Sequence, residues 1–289
     1  MRLFLLTAVA MTAFAANSVL NRMAVGQGWI EPLSFAGVRL LAGAAMLALV
    51  LGLRVALRRG VVWPGVRGLL AGVGGLLVYL VGFSLAYRAL DAGTGALILF
   101  GVVQITMFAG ALAAGEGVPL TRWLGAGLAF AGLLVLLAPG VGAVVDGASA
   151  LAMALAGAGW GVYSLAGRRQ ADALAATAAN FVLAVPVLML AVVLLPVSPE
   201  ALPATPQGLG LAVLSGAVTS GMGYALWYAL LPSLGAARAA VAQLTVPLIA
   251  AAGGAVLLAE MPSLRFGVAA LLVLGGVALA SRQSGLTRR

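Results

Sequence analysis

The chain has 289 residues, of which 63% are hydrophobic and only 8% charged, against roughly 25% charged in a typical soluble domain. No single water-soluble core of this size hides that much apolar surface, so the bilayer must be the solvent and an ordinary soluble fold is excluded. The net charge of +9 comes from 16 arginines, with no lysine and no histidine; they flank apolar runs instead of forming a basic patch with interleaved aromatics, which excludes a nucleic-acid partner.

The apolar runs are about 18–25 residues long and do not alternate polar with apolar, so the chain reads as an all-α integral membrane protein and not a barrel. Ten transmembrane helices are expected, near 3–25, 32–53, 66–87, 94–114, 121–138, 148–167, 174–196, 208–230, 236–258 and 264–281. The first opens on Met1-Arg2 and passes Ala13-Phe14-Ala15, which has the look of a cleaved signal peptide. Its Phe14-Ala-Ala-Asn17-Ser18 nevertheless pairs with Trp160-Gly-Val-Tyr163-Ser164 of the sixth span, and cleavage would orphan that repeat. The first span is therefore expected to stay.

The second span carries Arg39, the one charge clearly inside a span. An intramembrane Arg is a functional hypothesis by default: it draws a substrate carboxylate, or, as a structural charge, it snorkels to Glu31 or caps carbonyls within the bundle. The third span puts Tyr79, Phe83 and Tyr87 on one face, four residues apart. The fourth holds Gln104. Gly140–Gly147 joins the halves, the sixth span brings Trp160 and Tyr163, and the long external loop Ser198–Pro206 is Pro-rich. The eighth repeats the aromatic spacing at Tyr224 and Tyr228, and the ninth carries Gln243 and Pro247, where a missing backbone donor makes a kink and a gating hinge.

Two halves of the chain follow one plan. Gly82–Tyr87 aligns with Gly223–Tyr228, and Ala96–Glu116 runs without gaps over Ala240–Glu260. Residues 1–140 and 141–289 are thus read as two five-helix repeats. Five is odd, so the repeats must be inverted, with a pseudo-two-fold axis in the membrane plane. Placing both termini in the cytoplasm collects Arg54, Arg58, Arg59, Arg67, Arg122, Arg168, Arg169, Arg238, Arg282, Arg288 and Arg289 inside, and Glu31, Asp91, Asp146, Glu200 and Glu260 outside, with only Arg22, Arg88 and Arg265 near that side. The implied location is the inner (plasma) membrane, crossed many times. Glycines four apart, as in Gly68/Gly72 and Gly157/Gly161, permit close helix approach.

The motif order resembles the drug/metabolite transporter superfamily in its EamA-type branch. The matching residues are Asn17-Ser18…Asn21-Arg22, Val38-Arg39-Leu40-Leu41-Ala42, and Pro247 thirteen residues before Glu260, followed by Met261-Pro262-Ser263. Within it the chain looks most like the YddG-type exporters of aromatic amino acids. The resemblance implies a secondary transporter exporting small organic solutes by alternating access, here aromatic or large apolar amino acids.

Independently of that resemblance, inverted repeats place a substrate pocket where the halves meet. Spans one, three, four, six, eight and nine are expected to line it, with Asn17, Gln104 and Gln243 holding the polar part of a substrate. Tyr79, Phe83, Trp160, Tyr163 and Tyr224 would wall its side chain, since aromatic contacts contribute about 0.5–1.5 kcal/mol each. Trp29, Trp63, Trp123 and Tyr87, near span ends, fit an interfacial belt. With no cysteine, thiolate chemistry and thiolate metal ligation are excluded, and no cofactor or metal is implied. No Ser/His or paired-Asp constellation marks an enzyme, and no phosphate-cradling motif with Lys marks an ATP-driven pump. No carboxylate lies at mid-depth, which points to movement down a gradient; the expected partners are a small-molecule substrate and membrane lipid, with the protein a monomer. Two alternatives remain: efflux of lipophilic drugs or other metabolites, and a passive channel or pore.

Overall fold

A computed structural model describes residues 1–115, 118–138, 145–168, 170–194 and 204–281. Glu116, Arg169, Glu200, Arg282, most of the expected join and most of the long external loop lie outside the described residues. The helices are α1 (Arg2–Gly26), α2 (Pro32–Ala56), α3 (Val66–Ala86), α4 (Ala92–Ala113), α5 (Leu120–Leu137), α6 (Gly147–Arg168), α7 (Ala173–Leu194), α8 (Pro206–Leu214), α9 (Gly223–Gln243), α10 (Thr245–Leu258) and α11 (Leu264–Ser281). Between α8 and α9 the chain winds as a π-helix over Ser215–Met222. All regular structure among the described residues is helical.

Nine helical stretches among the described residues are long and apolar enough to cross a bilayer, one of them running through the π segment from Pro206 to Leu234. The tenth expected span differs. Helix continues through α9 to Gln243, and α10 is a shorter apolar helix of 14 residues. The Ala-rich stretch after Pro232 has high helix propensity, so the separate loop expected near residues 231–235 gives way to continuous helix. The break falls at Leu244 instead. Pro247 then sits in the first turn of α10, where a missing N–H leaves no hydrogen bond broken. The interruption is a single residue, Leu244, three before Pro247, and its backbone stays in the right-handed helical region.

Helix starts are built by local chemistry. The Glu31 carboxylate accepts from the Ser34 N–H at 2.9 Å with Pro32 as the next residue, and Asp172 accepts from the Ala175 N–H at 3.1 Å. Asp146 and Thr205 do the same for Ser149 and Gly208, at 2.8 and 3.1 Å. Each cap satisfies one of the orphan N–H groups of a first turn.

Helix ends meet in two sets. Arg22 reaches Asp91 and Glu260, Thr205 reaches the Trp29 carbonyl, and Arg265 donates to the Ala138 carbonyl, all at ends the alternating topology puts on one face. Arg54 and Asp172 pair at the other. In between, α3 packs on α6 as the α8–π–α9 crossing packs on α1, and α4 packs on α6 as α10 packs on α1.

Small residues set the closest approaches. A Cβ built on Gly75 would stand 2.7 Å from the Gly159 carbonyl oxygen, and one on Gly159 would stand 2.7 Å from the Gly75 oxygen. At Gly157 an added Cβ would meet Leu99 O at 2.8 Å, and at Gly161 the Thr106 side chain at 2.6 Å. With no hydrophobic drive between helices in lipid, such backbone-to-backbone contact supplies the attraction. It also brings α6 deep enough to set Trp160 at the centre.

Candidate functional site

At mid-depth, α1, α3, α4, α6 and α9 enclose a cavity of about 20 Å³ lined by Phe14, Asn17, Ser18, Tyr79, Phe83, Leu99, Phe100, Trp160 and Tyr224. That is room for about one water. In this conformation the site is shut by its own aromatic side chains. Trp160 is the hub, with ring centroids 4.9 Å from Tyr79, 5.2 Å from Tyr163 and 5.3 Å from Tyr224. Tyr79 continues to Phe83 at 5.2 Å, and Phe83 to Tyr87 at 4.8 Å. Phe14 closes the ring edge-on to Tyr224 at 5.5 Å. Each such pair contributes about 0.5–1.5 kcal/mol beyond area burial.

The polar wall is built on Asn17. Its Oδ1 accepts from Ser215 Oγ at 2.8 Å, Thr219 Oγ1 at 2.6 Å and Ser220 Oγ at 3.3 Å. All three donors lie on the π segment. The wider π turn aims Ser215, Thr219 and Ser220 at one acceptor across the α1 interface, and π segments of this kind recur at functional sites.

Behind the aromatic wall lies Arg39. It is 0% exposed. Its Nη2 donates to the Tyr79 hydroxyl oxygen at 2.9 Å, its Nε donates to Ser220 Oγ at 3.1 Å, and Nη1 has no partner among the described residues. The guanidinium carbon stands 5.3 Å and 5.0 Å from the ring centroids of Tyr79 and Phe83. Among the described residues Arg39 pairs with neither Glu31 nor a backbone carbonyl, and its bonds run to the side chains of Tyr79 and Ser220. Cation–π contact contributes about 0.5–2 kcal/mol, well short of a counter-charge.

Five of the eight expected substrate residues therefore meet: Asn17, Tyr79, Phe83, Trp160 and Tyr224. Tyr163 is one layer back, buried, stacked on Trp160, and donating to Thr177 Oγ1 at 2.9 Å. Gln104 and Gln243 are half-buried and do not line the cavity, Gln243 because it sits at the end of α9 beside the break. Tyr87, expected in an interfacial belt, is instead fully buried against Phe83, and its hydroxyl donates to the Ala92 carbonyl at 3.3 Å. Phe14, Ser18, Leu99 and Phe100 complete the lining without having been expected. Phe14 and Ser18 carried a signal, their places in the repeat alignment opposite Trp160 and Ser164.

A second recess of about 280 Å³ opens at the face holding Arg22, lined among others by Asp91, Asp146, Glu260 and Arg265. Glu260 is held there by two partners. Its Oε1 accepts from Arg22 Nε at 2.6 Å and its Oε2 from the Ala92 N–H at 2.8 Å. Burial, and then repulsion from Glu260, push the Asp91 carboxyl above its ordinary range against the pull of Arg22.

Residues 147–282 match the model of the EamA-like transporter family. An uncharacterized protein of Pseudomonas aeruginosa is 47% identical over 278 residues, covering 96% of this chain and 94% of that one. The chain belongs to the EamA-like transporter family. The EamA assignment carries the drug/metabolite transporter superfamily with it, and makes this a multi-pass membrane protein. A crystal structure of a protein 22% identical superposes with a TM-score of 0.63, covering 94% of this chain and 96% of that one, which shows that the overall fold is shared.

Proposed function

We propose that the protein is a secondary transporter that exports small organic solutes, with aromatic and large apolar amino acids as the substrates, in the manner of the YddG-type exporters. The observation that carries this reading is the convergence of Asn17, Tyr79, Phe83, Trp160 and Tyr224, from helices of both halves, on one central cavity. A ring-lined chamber with one polar wall suits a solute that has a flat apolar end and a hydrogen-bonding end. Because only about 20 Å³ is open, substrate entry requires the aromatic cluster to part. We read residues 1–140 and 141–289 as the two repeats that rock apart, the protein acting as a monomer in the inner membrane with both termini in the cytoplasm.

Uptake of labelled amino acids into proteoliposomes tests the reading, with Trp160→Ala and Tyr79→Ala alongside wild type. Saturable transport of phenylalanine or tryptophan, reduced at least about tenfold in both variants, is expected. Equal transport by wild type and variants for every substrate would discard the aromatic cavity, and flux without saturation or counter-exchange would favour a passive pore. A cysteine placed at Asp146 should react with an impermeant thiol reagent from outside; labelling only from the cytoplasmic side reverses the orientation.

A further inference from the structure

Arg39 is a fully buried cation with no carboxylate partner among the described residues. The ion pairs there belong to Arg22 and Arg54. A charge at membrane depth is costly, and a purely structural one would be expected to use its donors and find a counter-charge. Here Nη1 is buried and unpaired. A guanidinium does not deprotonate, so the charge stays.

Two of its hydrogen bonds lead to the cavity wall. The Tyr79 oxygen accepts from Arg39, and the Tyr79 side chain lines the cavity. Ser220 accepts from Arg39 and donates to Asn17 Oδ1, another lining atom. The lining residues themselves are all neutral. An uncompensated positive charge one layer behind a neutral, water-poor wall gives the cavity a positive potential, and low dielectric leaves that potential poorly screened.

We infer that Arg39 sets the charge selectivity of the central cavity: solutes bearing a carboxylate or similar anionic group, zwitterions included, are admitted, and solutes carrying only positive charge are refused. The inference rests on transport through the aromatic cavity, and it separates amino-acid export from efflux of cationic lipophiles, which the rings alone do not. An anionic group entering would bring Arg39 its missing counter-charge.

The test is competition against labelled phenylalanine uptake in proteoliposomes, using two permanently charged phenyl compounds, phenylmethanesulfonate and benzyltrimethylammonium. In wild type the sulfonate should inhibit at a concentration at least about tenfold lower than the ammonium compound. Arg39→Gln should bring that ratio to about one, and Arg39→Lys should preserve the preference for the anion. Equal inhibition by both compounds in wild type overturns the inference while leaving transport intact, and so does an unchanged ratio in Arg39→Gln. Should Arg39→Gln fail to fold, the wild-type and Arg39→Lys ratios decide. If wild type moves no labelled phenylalanine while reconstituted and folded, the transport reading falls, and the charge filter with it.

Discussion

Arg22 and Glu260 stand 238 residues apart in the chain and meet at 2.6 Å, Nε to Oε1, where the end of α1 crosses the turn between α10 and α11. The same carboxylate accepts from the first N–H of α4, and Arg22 also donates to the carbonyls of Tyr87 and Arg88 at 3.3 and 3.1 Å. Four chain segments are thereby tied at one end of the cavity. Side-chain exposures of 22% and 11% mean the pair is only partly screened by solvent.

Glu260→Ala should therefore lower stability by about 1–3 kcal/mol, because it strips a charge-assisted bond and leaves the Ala92 N–H without its acceptor. Melting of the detergent-solubilised protein measures the loss. Glu260→Gln, which keeps one acceptor oxygen, should lose less. A melting temperature unmoved by Glu260→Ala would mean that the pair contributes nothing to closure on this face.

Asn17 presents one oxygen to three hydroxyls of the π segment. Removing it strands Ser215 Oγ in a buried site, whereas Thr219 retains the Ser215 carbonyl at 2.9 Å. Asn17→Ala is expected to cost about 1–3 kcal/mol, the penalty for a buried polar group left unpaired. Asn17→Asp, which keeps the acceptor and sets a negative charge near Arg39, should lose less stability and should depress competition by anionic solutes. Chemical denaturation and the competition assay read the two effects separately.

The α3–α6 contact predicts a sharp size limit. Gly159→Ala would place a methyl 2.7 Å from the Gly75 oxygen and 2.8 Å from the Tyr79 nitrogen, so the helices must separate. Overpacking of this kind costs about 1–3 kcal/mol. Gly127→Ala, with nothing within 4 Å of the new atom, is the matched control and should be neutral or mildly stabilising. Similar melting for the two variants would contradict the packing described.

Asp172 gives a pH signature. Burial alone would raise its carboxyl, but hydrogen bonds from the Ala175 N–H, Arg54 and the Val62 N–H outweigh burial and hold it below the usual range. A group whose folded pKa is depressed adds stability above its unfolded value of about 4, and loses it as pH falls through the folded value. The melting gap between wild type and Asp172→Asn should be constant from about pH 6 to 8 and shrink below about pH 4. A gap that widens on acidification would reverse the assignment.

Much of the site was legible because it rests on local spacing. Tyr79 and Phe83 are one helical turn apart, and Trp160 and Tyr224 occupy mid-span positions whatever the tertiary packing does. The two glutamines misled. An amide at apparent mid-depth reads as cavity-facing only if the span ends are right, and helix continuing to Gln243 moves that residue to a helix end. Tyr87 misled in the opposite sense, since proximity to a span end says nothing about which neighbour covers the ring. The π segment had a faint signal in Ser215-Gly-Ala-Val-Thr-Ser-Gly221, a run of poor helix formers in which α and π hydrogen bonding compete closely.

Composition alone placed this chain in lipid as a bundle of apolar helices, because hydrocarbon gives unpaired backbone and exposed charge no partner. The partners of Arg39 are another matter. Whether an intramembrane guanidinium finds a carboxylate, a carbonyl or an aromatic wall depends on which side chains distant segments bring within about 3 Å, and here Tyr79 lies 40 residues away and Ser220 181. Only the packed structure could decide that the charge would be left without a counter-ion among the described residues.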